Sequence, residues 1–153
     1  MQKLTVDFSQ LLIHHYSHRD IRKKVPGLPK GETCCFQMCH ALNKAGARVR
    51  PLSHGVDYIV QGENHYSRVS GLREYLNERY EPGEIINRGR HVARIAVIAQ
   101  IIDRVGILAF GNRHIDLWNR TQIQRPTDYI ASAIWEAPSV FTVGYTFWEV
   151  SPP

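Results

Sequence analysis

The sequence predicts an α+β domain, with helices in the N-terminal half and an antiparallel sheet in the C-terminal half. Three observations carry this reading. Apolar residues recur at helical spacing in three segments before residue 81. From residue 92 onward they come instead in short β-branched or aromatic runs separated by turn residues. A length of 153 residues with a hydrophobic fraction of 43% suits one domain around one core, so residues 1–153 are expected to form a single unit.

In chain order, Leu4, Phe8, Leu11, Leu12 and Tyr16 predict an amphipathic helix over 4–16. Pro26, Gly27, Pro29 and Gly31 make the stretch from Val25 to Gly31 irregular. Thr33 is placed to cap a helix from Cys34 to Ala45, with Cys35, Met38, Cys39 and Leu42 on its apolar face and Gly46 just past its end. A further helix is expected over Val69 to Tyr80, stopped by Pro82 and Gly83. Ile95–Ile102, Ile107–Phe110, His114–Asn119 and Val140–Val150 read as strands of one antiparallel sheet. Between the last two, Thr127 is placed to cap a short helix from Asp128 toward Ala137, stopped by Pro138.

A net charge of +5 favours anionic surroundings, but the basic residues are scattered and Arg22, Lys23 and Lys24 form the only run. No nucleic-acid motif accompanies them, so a nucleic-acid partner is not expected. The longest apolar stretch, from Ile95 to Ile102, is too short to cross a bilayer, which argues against membrane insertion. Met1 to Leu12 lacks the pattern of a secretory signal peptide.

The three cysteines, Cys34, Cys35 and Cys39, lie too close together for a disulfide framework and lack the CxxC spacing of a zinc site. His14 and His18, one helical turn apart, form the best metal-binding candidate, but no acidic ligand completes the set and no metal or other cofactor is expected. His40, His54, His65 and His91 show no usable pattern.

Cys34 stands out by position. Unpaired N–H groups and summed peptide dipoles at a helix start stabilise a thiolate, and the same N–H groups suit an oxyanion formed when a carbonyl is attacked. The bland alternative is a small buried hydrophobe, the reading that fits Cys35 and Cys39. The second element is His114: strand alternation places His114, Asp116 and Trp118 on one face and sends Ile115 and Leu117 into the core. A histidine there could accept a thiol proton, with an acidic or amide group orienting its other nitrogen.

The run Glu32-Thr-Cys-Cys-Phe-Gln-Met-Cys-His-Ala-Leu-Asn-Lys-Ala-Gly46 resembles the catalytic helix of the fourth family of type VI secretion amidase effectors. The resemblance continues through Tyr66-Ser-Arg-Val-Ser-Gly-Leu-Arg-Glu-Tyr-Leu76, Gly106-Ile-Leu-Ala-Phe110 and His114-Ile-Asp-Leu-Trp-Asn119, and closes with Phe147-Trp-Glu-Val150. It implies a papain-like fold of the NlpC cell-wall peptidase superfamily and a peptidoglycan peptide substrate cut between γ-D-glutamate and diaminopimelate. By position, Cys34 becomes the nucleophile, His114 the base and Asp128 the third member. Asp116, two residues along the strand and expected to lie far from the ring, and Gln122 or Gln124 are the alternatives for that third role.

The family also implies delivery by a secretion apparatus to the periplasm of a target bacterium and a cognate immunity protein that blocks the cleft. Arg113 and Arg120 stand where the family usually has glycine, and the family's cysteine pair near the third catalytic residue is absent. Two rival readings stay open: a papain-like hydrolase or transferase acting on a protein or another amide, and an inactive module bound to anionic cell wall.

Overall fold

The computed structural model describes residues 2–86, 94–126, 134–135 and 137–152. The chain opens with two short helices: α1 (Phe8–His14) is a shortened form of the helix expected over 4–16, and α2 (His18–Lys24) follows outside that segment. Two local signals make the division. Asp7 accepts a hydrogen bond from the Ser9 N–H and Ser17 from the Asp20 N–H, so each helix has its own N-cap. Leu4 and Val6 are buried in extended backbone, held where the Ser151 N–H donates to the Leu4 carbonyl.

Helix α3 (Cys34–Lys44) follows with the expected bounds and is buried on every side over its first nine residues, so it is the central helix of the fold. Thr33 precedes it but makes no side-chain cap; its hydroxyl donates to Gln37 Oε1 and lies 2.7 Å from His18 Nδ1. A hairpin absent from the sequence reading comes next, β1 (Tyr58–Val60) and β2 (Glu63–His65). It turns at Gln61 and Gly62, both at positive φ. Helix α4 (Val69–Arg79) occupies the expected segment, burying Val69, Leu72, Tyr75 and Leu76.

The main sheet comprises β3 (Glu84–Ile86), β4 (Val105–Phe110), β5 (His114–Asn119), β6 (Gln122–Ile123) and β7 (Tyr145–Glu149). Its strands are antiparallel throughout and run in the order β3-β7-β4-β5-β6. One expected strand is helical instead, and a second is helical only at its start and a strand, β7, over the rest. Over the Ile95–Ile102 run lies α5 (Arg94–Ile101), which buries Val97 and Ile101 four residues apart while Ile95 faces solvent. That is helical rather than alternating spacing. Helix α6 (Pro138–Val143) takes the start of the Val140–Val150 run: Pro138 opens it in the first turn and Gly144, at φ 87°, ends it before β7. Of the helix expected from Asp128 toward Ala137, Ile134 and Trp135 are helical and most of the rest lies outside the described residues.

Both faces of the sheet are covered. Ile107, Ala109, Ile115, Leu117 and Trp148 pack with Leu11, Met38, Leu72 and Leu76 from α1, α3 and α4. Leu108, Phe110, Trp118 and Phe147 pack on the other side with Val97, Ile101, Trp135 and Val140. No helix among the described residues is long and apolar enough to cross a membrane.

Closeness at the sheet centre gives the first test. A Cβ on Gly106 would stand 2.2 Å from the Trp148 carbonyl oxygen and 2.9 Å from the Phe147 ring. Gly106→Ala is expected to destabilise the fold by roughly 1–3 kcal/mol in urea unfolding, because backbone cannot yield as a flexible side chain does. An unchanged midpoint would refute the tight register.

Candidate active site

Among the described residues strand β6 pairs with Trp118 and Asn119 of β5 and no strand covers β5 from His114 to Leu117, so its outward backbone groups there can meet other partners. The Gln124 N–H takes the outward carbonyl of Leu117. Helix α3 packs against this strand, which brings the Ile115 backbone amide near enough to the Cys34 thiol to favour its ionisation. The mouth of the helix is thereby fixed at the open end of the strand, where the imidazole of His114 meets the thiol.

The electrostatics favour an ion pair. The Cys34 thiol is brought down to about 5, first by the hydrogen bond from Cys35 and further by His114 and the Ile115 N–H, against an opposing effect of burial. Burial also disfavours charge on His114, but the carboxylate of Asp116 and the Cys34 sulfur outweigh it and hold the imidazole up at about 9. Between those values the pair is thiolate and imidazolium. Cys35 shows the opposite behaviour: donating to Cys34 and being buried hold its own thiol well above the ordinary range. Cys39 is pushed up to about 12 by burial.

His114 Nε2 lies 3.3 Å from Asp116 Oδ2. The alternation expected for β5 holds, and both of its faces are buried rather than one exposed. Two residues apart on a strand is therefore not too far. Side chains on one face lean along the strand, and the long imidazole spans the gap to the short carboxylate.

Asp116, fully buried, is itself held in place. Its Oδ1 accepts from the Leu117 N–H at 2.7 Å and its Oδ2 from the Arg125 N–H at 3.3 Å. The Arg125 guanidinium donates to the carbonyl of His15, whose buried ring lies 4.0 Å from Asp116 Oδ1. Asp128 lies outside the described residues. Gln122 sits exposed on β6 opposite Asn119, and the Gln124 main chain continues that pairing.

Cys34 is 9% exposed and His114 3%, and both line a groove of about 310 Å³ with His18, Gly31, Glu32, Thr33 and Gln37. One wall is a relay: His18 to Thr33, Thr33 to Gln37, and Gln37 Nε2 to the Tyr16 carbonyl. His14 and His18 fall on separate helices, so the helical-turn spacing behind the metal candidate does not exist. Among the described residues no group of three or more His, Cys, Asp or Glu side chains is arranged to hold a metal ion. The sequence reading missed Cys35 as a donor to Cys34 and His15 as a neighbour of Asp116. Adjacency to Cys34 was the only signal for the first, and none existed for the second.

Arg120 adopts φ 63°, the left-handed conformation that explains why glycine suits this place. Arg113 is exposed in the turn before β5, its N–H bonded to the Phe110 carbonyl.

A helix presenting a cysteine to a histidine on an antiparallel sheet is the arrangement of the papain-like NlpC-type fold, and comparison with solved structures agrees. The effector Tae4 from Enterobacter cloacae superposes with a TM-score of 0.67 at 16% identity, covering 99% of this chain and 100% of that one. The same effector in its complex with Tai4 gives 0.69 at 16% identity, covering 97% and 100%. Tae4 from Salmonella typhimurium, in complex with the immunity protein Tai4 from Enterobacter cloacae, gives 0.67 at 15% identity, covering 95% and 99%. No curated protein matches the sequence. Residues 31–145 match the family described as type VI secretion system amidase effector protein 4, Tae4, and the chain belongs to that family.

The thiol energetics lead to a labelling test. At pH 6 to 7, iodoacetamide is expected to modify Cys34 and spare Cys35 and Cys39, as read by peptide mass spectrometry. The rate should fall as the pH drops through about 5, where the thiolate takes up its proton. Preferential labelling of Cys39 would contradict the assignment.

Proposed function

We propose that the chain is a cysteine-dependent peptidoglycan amidase that cuts the bond between γ-D-glutamate and diaminopimelate in stem peptides. The thiolate–imidazolium pair of Cys34 and His114 in an open groove carries this reading. Family membership supplies the substrate class. The Cys34 sulfur attacks the amide carbonyl, and the carbonyl oxygen takes the negative charge next to the unpaired N–H groups that open α3. As the C–N bond breaks, the imidazolium of His114 gives its proton to the leaving amine. Neutral His114 then takes a proton from water; the hydroxide displaces the thiolate and releases a carboxylic acid.

Asp116 keeps the His114 ring oriented and stabilises its charged form. The chain acts as an antibacterial effector delivered by the type VI apparatus to the periplasm of a target cell. The Tae4 relatives crystallised with Tai4 support a cognate immunity protein for this chain as well.

Digestion of purified peptidoglycan, with new termini identified by mass spectrometry, tests the reaction. Cys34→Ala should reduce hydrolysis to background, and full activity in that variant would sink the proposal. Asp116→Asn is expected to lower turnover by on the order of 10²-fold or more, since an amide cannot stabilise the imidazolium. Asp128→Asn should stay near wild type; the reverse pattern would transfer the orienting role to Asp128.

The pH profile of kcat/KM is expected to be bell-shaped. It should rise as pH climbs through about 5, where Cys34 loses its proton, and fall as pH passes about 9, where His114 loses the proton that the leaving amine needs. A single ascending limb near the ordinary thiol range would contradict the ion pair.

A further inference from the structure

At the opposite end of α3 from Cys34, the chain leaves the helix at Gly46 and passes through Arg48, Val49 and Arg50. Val49 is buried, and Arg48 and Arg50 on either side of it are exposed. The backbone here is pinned by side chains rather than by a sheet. Tyr75 Oη donates to the Arg48 carbonyl at 3.1 Å and accepts from the Arg50 N–H at 3.2 Å. Tyr66 Oη donates to the Arg50 carbonyl at 2.9 Å. Asn43 accepts from the Val49 N–H at 2.7 Å, and Asn64 donates to its carbonyl at 3.0 Å.

This rigid strut, together with Arg79 and Lys3, lines a groove of about 280 Å³ in which no carboxylate occurs among the described lining residues. Carboxylates stand only at its margins: Lys3 also borders a cleft with Glu81, Glu84 and Glu149, Arg50 and Arg79 one with Glu78, and Arg48 and Arg50 a groove with Glu63. Arg50 and Arg79 both lie close enough to the Tyr80 phenol to act on its ionisation. Guanidinium forks on a fixed backbone suit planar oxyanions, and their fixed placement reduces what binding would lose in side-chain freedom.

We propose that this groove is an anchoring site for the free carboxylates of peptidoglycan stem peptides, separate from the catalytic cleft. The proposal rests on the amidase reading for its ligand. A γ-linked glutamate leaves its α-carboxyl free and diaminopimelate brings carboxyl groups of its own, so the polymer presents repeated carboxylates beyond the bond being cut. Helix α3 has 11 residues and spans about 16 Å, so a strand held at the groove is gripped well away from the thiolate. The groove thus selects for the polymer rather than for a single stem peptide.

The test uses the full chain with Arg48→Glu and Arg50→Glu combined, a change that keeps the pinned backbone. Turnover of a short soluble stem peptide should match wild type, whereas turnover of intact sacculi should fall by about tenfold at low salt. That difference should vanish near 0.5 M salt, where screening reaches only a few ångströms. Equal loss on both substrates, or no loss on sacculi, overturns the anchor.

Co-sedimentation of Cys34→Ala with sacculi separates this from the amidase reading, because it needs no turnover. Binding should drop when the two charge reversals are added, and should drop equally when sacculus carboxyls are converted to neutral amides. Binding that survives amidation overturns the carboxylate assignment. So does a reversal effect seen only with vesicles containing phosphatidylglycerol, which would reassign the groove to a lipid phosphate.

Discussion

A sulfur anion held at 9% exposure governs how the rest of this molecule is built. Moving a charge out of water costs several kcal/mol unless donors replace the lost solvent. Three do so here: the Cys35 thiol, the His114 imidazole and the Ile115 N–H. The unpaired amides at the start of α3 add a favourable field. Each donor comes from a different local context, a helix neighbour, a strand side chain and a strand backbone. The thiolate therefore exists only when helix and strand are docked, and chemical competence is coupled to folding.

The sheet order makes that docking possible. Because β6 covers only the far end of β5, the near end keeps outward backbone groups that a helix mouth can use. The same strand buries His114 and Asp116 on one side and Ile115 and Leu117 on the other, so its register is held from both faces. A one-residue slip would send the imidazole into the apolar layer under α3. Asp116 is fixed in turn by the Leu117 and Arg125 amides, and Arg125 ties this region back to the chain beyond α1 through the His15 carbonyl.

Charge is divided along α3. Its start holds a buried, internally balanced ion pair; the chain past its end presents arginines on a backbone clamped by Tyr66, Tyr75, Asn43 and Asn64. One helix thus sets the separation between a site made for chemistry and a site made for an anionic polymer.

Several elements were legible in the chain alone. Cys34 could be placed at a helix mouth because a turn-rich stretch precedes it and apolar residues recur at helical spacing after it. His114 could be placed on a strand because alternation is a local property. Family resemblance added fold and reaction class, which periodicity cannot supply. The run at Ile95–Ile102 and the start of the one at Val140–Val150 misled, because a short apolar run has no intrinsic period and only the surface it packs against decides between helix and strand. Asp116 was underrated because distance along a strand says little about where a long ring points. Cys35, His15 and the cluster of Arg48, Arg50 and Arg79 stayed hidden for a common reason. Covalent neighbours determine caps, turns and alternation, whereas proximity between distant segments arises only when the core closes and brings their side chains into one field.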